Sequence, residues 1–292
     1  MKPAPFEYFA PETVDEVVSL LADHGDEAKV LAGGQSLIPL LALRLASPSV
    51  LIDLNRVTAL DYLDSGGHVL KIGALTRHRA IEKLADLAES CPMLSDAVEL
   101  VGHVAIRNRG TVVGSMAHAD PAAEWPALAL ALDGEFDVVG PNGARTIPAD
   151  SFFVSYLTSA LEPEELVTEV RLTLPSGSVG SSFVELARRH GDFAVAGAGA
   201  VLRLSENGTI EDARIVLIGV AATALRARDA EQTLVGREAK LDAFEEAAEM
   251  VQEAIDPSGD IHGSSEFRRE IAKVLTRRAL VSAAARGGGE RG

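Results

Sequence analysis

Val30-Leu31-Ala32-Gly33-Gly34-Gln35-Ser36 is an apolar run that ends in a Gly-Gly turn. Further along, Arg107-Asn108-Arg109-Gly110-Thr111-Val112-Val113-Gly114-Ser115 again brings small residues and hydroxyls to a turn. Glycine lets the backbone approach a ligand closely, and consecutive free N–H groups beside a Ser or Thr hydroxyl suit phosphate oxygens. Neither stretch carries the lysine of a triphosphate-binding P-loop. The two together read as a diphosphate gripped from two sides.

Around the first stretch the pattern is compact. Residues 29–32 form a short strand, residues 37–45 a helix that accepts Pro39 in its first turn, and residues 50–54 a second strand. This is a β-α-β-like unit with the glycine turn at its functional edge. Upstream, Thr13 and Glu16 have the spacing of a capping box, with Val14, Val17, Val18 and Leu21 on one helical face and Gly25 closing the helix. Downstream, residues 68–73 form a strand, and Thr76 is placed to cap a helix carrying Ile81, Leu84, Leu87 and Ala88. An apolar-periodic helix over 93–105 delivers the chain to the second stretch. Gly140-Pro141-Asn142-Gly143 marks a hairpin between strands at 136–139 and 145–147. A strand at 166–174 leads to a boundary at Pro175-Ser176-Gly177-Ser178. Beyond it lie strands near 182–187, 194–204 and 214–220, then two helices, the second near 267–284, and a disordered tail.

With 292 residues the chain is long enough for two domains with separate cores. A formal charge of −16 makes nucleic acid and anionic membranes poor partners. The locally basic stretch 268–278 alternates with Phe267, Ile271, Val274 and Leu275, which reads as the solvated face of a terminal helix. The single cysteine, Cys91, excludes an internal disulfide, a cysteine-ligated iron–sulfur cluster and a cysteine-rich zinc site. The histidines show no metal-ligand spacing. No signal core or membrane-length apolar segment is present, so a cytoplasmic location is expected.

Three further polar groups bear on function. His118 and Asp120 have no sequence-adjacent nucleophile, which favours a structural or ligand-contacting role over acid–base work. Asp120 suits the cap of a helix with Pro121 at its first position, but that role does not account for residues 111–115. Arg188-Arg189-His190-Gly191-Asp192-Phe193 joins two strands, as a solvated connection or as part of a site. Gly197-Ala198-Gly199 lacks the third glycine and following helix of a Rossmann fingerprint.

The strings KVLAGGQSLIPLLALRLASPSVLIDL and IRNRGTVVGSMAHADPAAEWPALALAL resemble the FAD-binding medium subunits of molybdenum hydroxylases, the aerobic carbon monoxide dehydrogenase and xanthine dehydrogenase type. The resemblance extends over nearly the whole chain and includes residues 160–166 and 188–194. It implies an α+β fold: a vanillyl-alcohol-oxidase-like (PCMH-type) FAD-binding domain over 1–177, with subdomains of about 1–56 and 57–177. A carbon monoxide dehydrogenase flavoprotein-like α+β domain over 178–286 and a tail at 287–292 follow.

By the same resemblance, the flavin diphosphate lies between the two glycine loops. The first loop contributes Lys29, Val30, Ala32, Gly33, Gly34, Gln35 and Ser36; the second contributes Ile106, Thr111, Gly114, Ser115, Ala117 and His118. Glu124 lies close to the cofactor, Ala74, Leu166 and Val167 line the cleft, and Phe193 falls where some relatives place a tyrosine against the isoalloxazine ring. Two departures stand out: Val113-Gly114 replaces the Gly-Gly of many relatives, and Phe193 stacks without donating a hydrogen bond. The implied cofactor is a noncovalently held FAD. Molybdopterin and the [2Fe–2S] clusters belong to a large and a small partner subunit, in a dimer of heterotrimers. A self-sufficient FAD oxidase or dehydrogenase and an assembly subunit that has lost FAD remain as alternatives. The first would need a base or an electrophilic clamp beside the flavin, which the sequence does not display.

Overall fold

The computed structural model describes residues 2–288 of the protein. The N-terminal unit comprises β1 (Glu7–Phe9), α1 (Val14–His24), β2 (Ala28–Leu31), α2 (Leu37–Leu43) and β3 (Val50–Asp53). Its three strands are parallel in the order β1-β3-β2. The Thr13–Glu16 capping box is formed, and Gly25 ends α1 at φ +48°. Strand β1 was not foreseen. It is a short, mostly exposed edge with little hydrophobic pattern, secured where the Tyr8 hydroxyl donates to Asp53 at 2.6 Å.

The next elements are β4 (Leu63–Asp64), β5 (Val69–Gly73), α3 (His78–Glu82), α4 (Leu87–Ser90), α5 (Pro92–Leu100), α6 (Val104–Arg107), α7 (Val112–His118) and α8 (Glu124–Ala131). They are followed by β6 (Glu135–Gly140), β7 (Gly143–Pro148), α9 (Ala149–Phe152), β8 (Phe153–Ser155), β9 (Thr158–Ser159) and β10 (Leu166–Thr173). Five strands make an antiparallel sheet, β4-β5-β10-β6-β7.

Several expected helices are divided or displaced. Thr76 does not cap one; its hydroxyl donates to the Tyr62 carbonyl instead. The apolar run after it breaks into α3 and α4, with Asp86 left-handed at φ +60°. The helix expected over 93–105 stops at Leu100, and Gly102 turns the chain at φ +51° into α6. The second glycine stretch is a turn only as far as Thr111. From Val112 it is helical, because Val112, Val113 and Met116 form a buried face. Asp120 accepts from the Ala122 amide in a tight turn, and α8 starts four residues later with Ala123 at its N-cap. Cys91 is buried where α4 meets α5, and burial pushes its thiol up to about 11, leaving a poor nucleophile at neutral pH.

The C-terminal unit contains β11 (Val179–Ala187), β12 (Ala194–Leu204), β13 (Ile210–Ile218), β14 (Leu225–Arg226), α10 (Arg228–Leu234), α11 (Leu241–Ala254) and α12 (Ser265–Gly287). Its antiparallel sheet runs β11-β12-β13-β14 and is covered on both faces. Ala196, Ala198, Ala200 and Leu202 of β12 pack in the core beneath α11 and α12. On the other face, a Cβ added at Gly199 would lie 2.9 Å from Met93 of α5. The glycines of the Gly197-Ala198-Gly199 run therefore admit close neighbours rather than a dinucleotide.

The basic stretch 268–278 is not simply a solvated face. Arg268 is buried; it donates to the carbonyls of Val195 and Gly219 and pairs with Asp260 at 2.8 Å. Lys273 and Arg277 reach Glu249 and Glu245 on the acidic side of α11. Helix α12 extends through Gly287, with Arg286 paired to Asp96, so the ordered chain outlasts the expected start of the tail. The remainder of that tail, 289–292, lies outside the described residues. No helix among the described residues is long and apolar enough to cross a membrane.

Candidate functional site

The two glycine stretches meet. The β-strand geometry of β2 delivers residues 32–36 to the ends of β2 and β3, where Gly33 is packed against the second stretch. A Cβ built on Gly33 would lie 2.5 Å from the Arg109 carbonyl oxygen, 2.6 Å from Gly110 Cα and 2.8 Å from the Thr111 nitrogen. Its φ lies outside the left-handed region, so contact, not conformation, requires glycine here. At Gly34, φ is +73° and conformation is the reason. Gly114 sits over Thr111, 2.5 Å from its Oγ1 to an added Cβ.

Polar side chains tie the loops together from behind. Asn55 donates from Nδ2 to the Ala32 carbonyl at 3.0 Å. Its Oδ1 accepts from Arg77 at 2.6 Å, and Arg77 donates in turn to the Arg109 carbonyl. The His78 amide donates to the Gly110 carbonyl at 3.1 Å, and the Val112 amide to the Thr76 carbonyl at 3.0 Å. Nothing local in the sequence marks Asn55 or Arg77, because the groups they join are far apart along the chain.

Between the loops lies a cleft of about 540 Å³. Its walls contain Lys29, Val30, Ala32, Gly33, Gly34, Gln35 and Ser36 from the first loop, and Ala74 beyond β5. Ile106, Thr111, Gly114, Ser115, Ala117 and His118 come from α6 to α7, Glu124 from α8, Leu166 and Val167 from β10, and Phe193 from the β11–β12 connection. Every residue singled out by the resemblance thus borders one cavity. Asp120 is not among the lining residues, which separates it from His118. The 188–193 connection contributes Gly191, Asp192 and Phe193 to the cleft, and Arg188 pairs with Asp192 at 3.4 Å. Leu157, Leu161 and His78 also line it and were not foreseen.

Buried polar atoms along the cleft lack partners. Among the described residues, Thr111 Oγ1, His78 Nδ1 and Trp125 Nε1 are buried without a hydrogen bond. The amides of Gly34, Gln35 and Ser36 donate to no backbone acceptor. Native interiors rarely leave buried polar atoms unsatisfied, so Thr111 Oγ1 and His78 Nδ1, both on the cleft lining, point to a ligand; Gln35 and Ser36 are exposed, and their amides are open to solvent and free for one. His78 stacks on Trp125 with ring centroids 5.8 Å apart. Burial, helped by the charges of Arg107 and Arg77, lowers its pKa to about 4, so the imidazole is neutral. Burial pushes the Glu124 carboxyl the other way, up to about 7.

The His78 shift makes stability pH-dependent with a definite sign. The unfolded imidazole takes a proton below its ordinary range and the buried one resists it, so stability is lost as pH falls from there toward 4. The expected share is about 2 kcal/mol between roughly pH 7 and pH 5. Urea unfolding of the His78→Gln chain at both pH values should show that much less acid loss than the parent. An unchanged pH dependence would place the acid sensitivity elsewhere.

Comparison with known proteins bears on what fills the cleft. The family model of the FAD binding domain in molybdopterin dehydrogenase matches residues 4–175, and that of the CO dehydrogenase flavoprotein C-terminal domain matches residues 181–283. The chain belongs to the FAD-binding flavoprotein family of the molybdenum hydroxylases. It is 40% identical to the 6-hydroxypseudooxynicotine dehydrogenase complex subunit alpha of Paenarthrobacter nicotinovorans, over 97% of this chain and 96% of that one. It is 38% identical to the carbon monoxide dehydrogenase medium chain of Hydrogenophaga pseudoflava, over 98% and 99%. Among solved structures, carbon monoxide dehydrogenase from H. pseudoflava lacking the Mo-pyranopterin moiety superposes with a TM-score of 0.94 at 39% identity, covering 98% of this chain and 99% of that one. Quinoline 2-oxidoreductase from Pseudomonas putida 86 gives 0.93 at 37% identity, covering 99% and 100%. The fold is that of the family, an FAD-binding domain followed by a C-terminal domain, and the protein is an oxidoreductase flavoprotein.

The cleft suits FAD. Unpaired amides and the free Thr111 hydroxyl answer diphosphate oxygens, and Leu157, Leu161, Leu166, Val167 and Phe193 supply apolar surface for a ring system.

Proposed function

We propose that this chain is the FAD-bearing electron-transfer subunit of a molybdenum-containing hydroxylase or dehydrogenase. It takes electrons from [2Fe–2S] clusters in a small partner subunit and passes them to an external acceptor. Substrate oxidation belongs to a large molybdopterin subunit, and the whole assembles as a dimer of heterotrimers. The observation that carries this reading is the cleft itself, closed at the back by the locked glycine loops and lined by every residue the family pattern names. The lone, buried Cys91 supports placing the clusters on another chain.

FAD, when bound, exchanges electrons between a pair donor or acceptor and one-electron carriers. The chain supplies position and environment. The amides of Gly34, Gln35 and Ser36, with the Thr111 hydroxyl, hold the diphosphate. Neutral His78 offers Nδ1 without adding charge. Leu166 and Val167, both buried, keep water from the ring, and Glu124 holds a proton at its carboxyl in the cleft wall. Phe193, on the cleft lining, is 66% exposed, an apolar edge that a partner subunit would cover.

The division of labour is testable with the isolated, flavin-loaded chain and a dye acceptor. No organic substrate should turn over, while weak NADH–dye activity is compatible with an exposed flavin edge. Robust turnover of an organic substrate without molybdenum would replace this reading with a self-sufficient oxidase.

A further inference from the structure

The connection between β11 and β12, residues 188–193, brings Gly191, Asp192 and Phe193 to the cleft. Hydrogen bonds do little to hold it there. Among the described residues, its own bonds are internal: the Asp192 amide donates to the Arg189 carbonyl at 3.1 Å, and Arg188 donates to the Asp192 carboxylate at 3.4 Å. Arg188, Arg189, His190 and Phe193 are exposed. A connection of this kind takes its position from what it packs on.

It packs on His103. Gly191 has φ +86°, and a Cβ built there would lie 2.5 Å from His103 Cε1, 2.6 Å from Nδ1 and 3.0 Å from Nε2. The Gly191 backbone thus sits against the Cε1 end of the imidazole, at a distance that a side chain would not allow. The His190 ring lies beside the same imidazole, with centroids 6.1 Å apart and planes at 57°. Two successive residues of the connection therefore meet one side chain.

That side chain stands on anchored backbone and has no other bonding role. His103 is the N-cap of α6, yet its side chain makes no capping bond; its carbonyl accepts from the amides of Ile106 and Arg107 at 2.8 and 3.0 Å. Just before it, Val101 and Gly102 are fixed through their carbonyls by Arg107, and both line the cleft with Ile106. The ring joins this rigid wall to a connection that is otherwise loosely held.

We propose that His103 is a positioning residue, the seat on which the 188–193 connection rests, and that it sets Phe193 against the flavin ring at the exposed rim of the cleft. This deepens, and rests on, the reading of the cleft as the FAD site. The flavin ring has to lie where electrons enter and leave, and Phe193, on the cleft lining but largely exposed, marks such an edge. Aromatic rings gain from offset stacking only at a fixed spacing. A connection without its seat would lose that gain to its own freedom.

The full chain carrying His103→Ala, His103→Phe, Phe193→Ala or the His103→Ala/Phe193→Ala pair tests this. His103 is exposed, so its truncation leaves the core intact. In the flavin-free chain, tryptic cleavage after Arg188 and Arg189 should be about tenfold faster with His103→Ala, as local opening becomes easier. His103→Phe keeps a flat ring at the seat without its nitrogens, and should restore the parental rate. In the FAD-loaded chain, the visible circular dichroism of the flavin should change in the same direction with His103→Ala as with Phe193→Ala, and stay parental with His103→Phe. Each alanine variant should lose about fivefold in FAD affinity, and the pair about fivefold as well, because both act through one contact. Compounding to about 25-fold in the pair is what a merely structural role in the α5–α6 turn predicts, and it overturns the proposal. Parental cleavage and a parental flavin spectrum in His103→Ala overturn it too. Faster cleavage of His103→Ala in a chain whose parent takes up no FAD overturns the reading of the cleft, and the flavin-facing role of the seat with it.

Discussion

Gly33→Val should abolish useful FAD affinity, by about 100-fold or more, while leaving a folded chain. The added Cβ meets backbone on three sides, at Arg109, Gly110 and Thr111, and backbone has no rotamer by which to step aside. The loops must separate, which parts the unpaired amides of residues 34–36 from the Thr111 hydroxyl. Overpacking of this kind costs about 1–3 kcal/mol of stability, whereas losing registry across a two-sided grip costs about 2.7 kcal/mol of binding for a 100-fold loss. Trp125, the sole tryptophan, stacks on His78 at the cleft and reports binding directly. Gly114→Val acts less directly, by displacing the Thr111 hydroxyl 2.5 Å from the added Cβ. A folded Gly33→Val chain with parental affinity would show that the diphosphate does not lie between the loops.

Arg107→Leu should be the most destabilising change outside the glycine contact, by about 3–5 kcal/mol. Arg107 is 5% exposed and pairs with Glu82 at 3.0 Å. It also donates to the carbonyls of Val101 and Gly102, at 3.2 and 2.8 Å. Removing the guanidinium leaves those carbonyls unanswered in the turn between α5 and α6 and takes from Glu82 of α3 one of its two cations, Arg79 remaining at 2.6 Å. Val101, Gly102 and Ile106 of that turn line the cleft, so affinity for FAD should fall with stability. Guanidinium unfolding of the flavin-free chain checks the first effect, and a loss under about 1 kcal/mol would mean that water replaces the guanidinium at little cost.

The sequence reading was strongest where the signal is local. The Thr13 capping box, the strand–turn–helix at Gly33 and Gly34, and the hairpin at residues 140–143 each depend on neighbours within a few residues. It weakened where a residue's role is decided across the fold. Arg107 sits in a run that reads as a turn yet is buried, because the carbonyls of Glu99, Val101 and Gly102, at and beyond the end of an interrupted helix, converge on it. Arg268 belongs to a basic stretch that reads as solvated, and it too is consumed by carbonyls, those of Val195 and Gly219. The cleft residues were named through family resemblance rather than periodicity. The groups that lock the two loops, Asn55, Arg77 and His78, carried no local mark, since each one's partners lie on other segments.

The FAD content of the purified chain tests the central claim most directly. After reconstitution and exhaustive dialysis, acid precipitation should release one FAD per chain into the supernatant and leave the pellet colourless, as a noncovalent grip between two glycine loops requires. A folded chain that retains no FAD after reconstitution, or a pellet that keeps its flavin, would contradict the account.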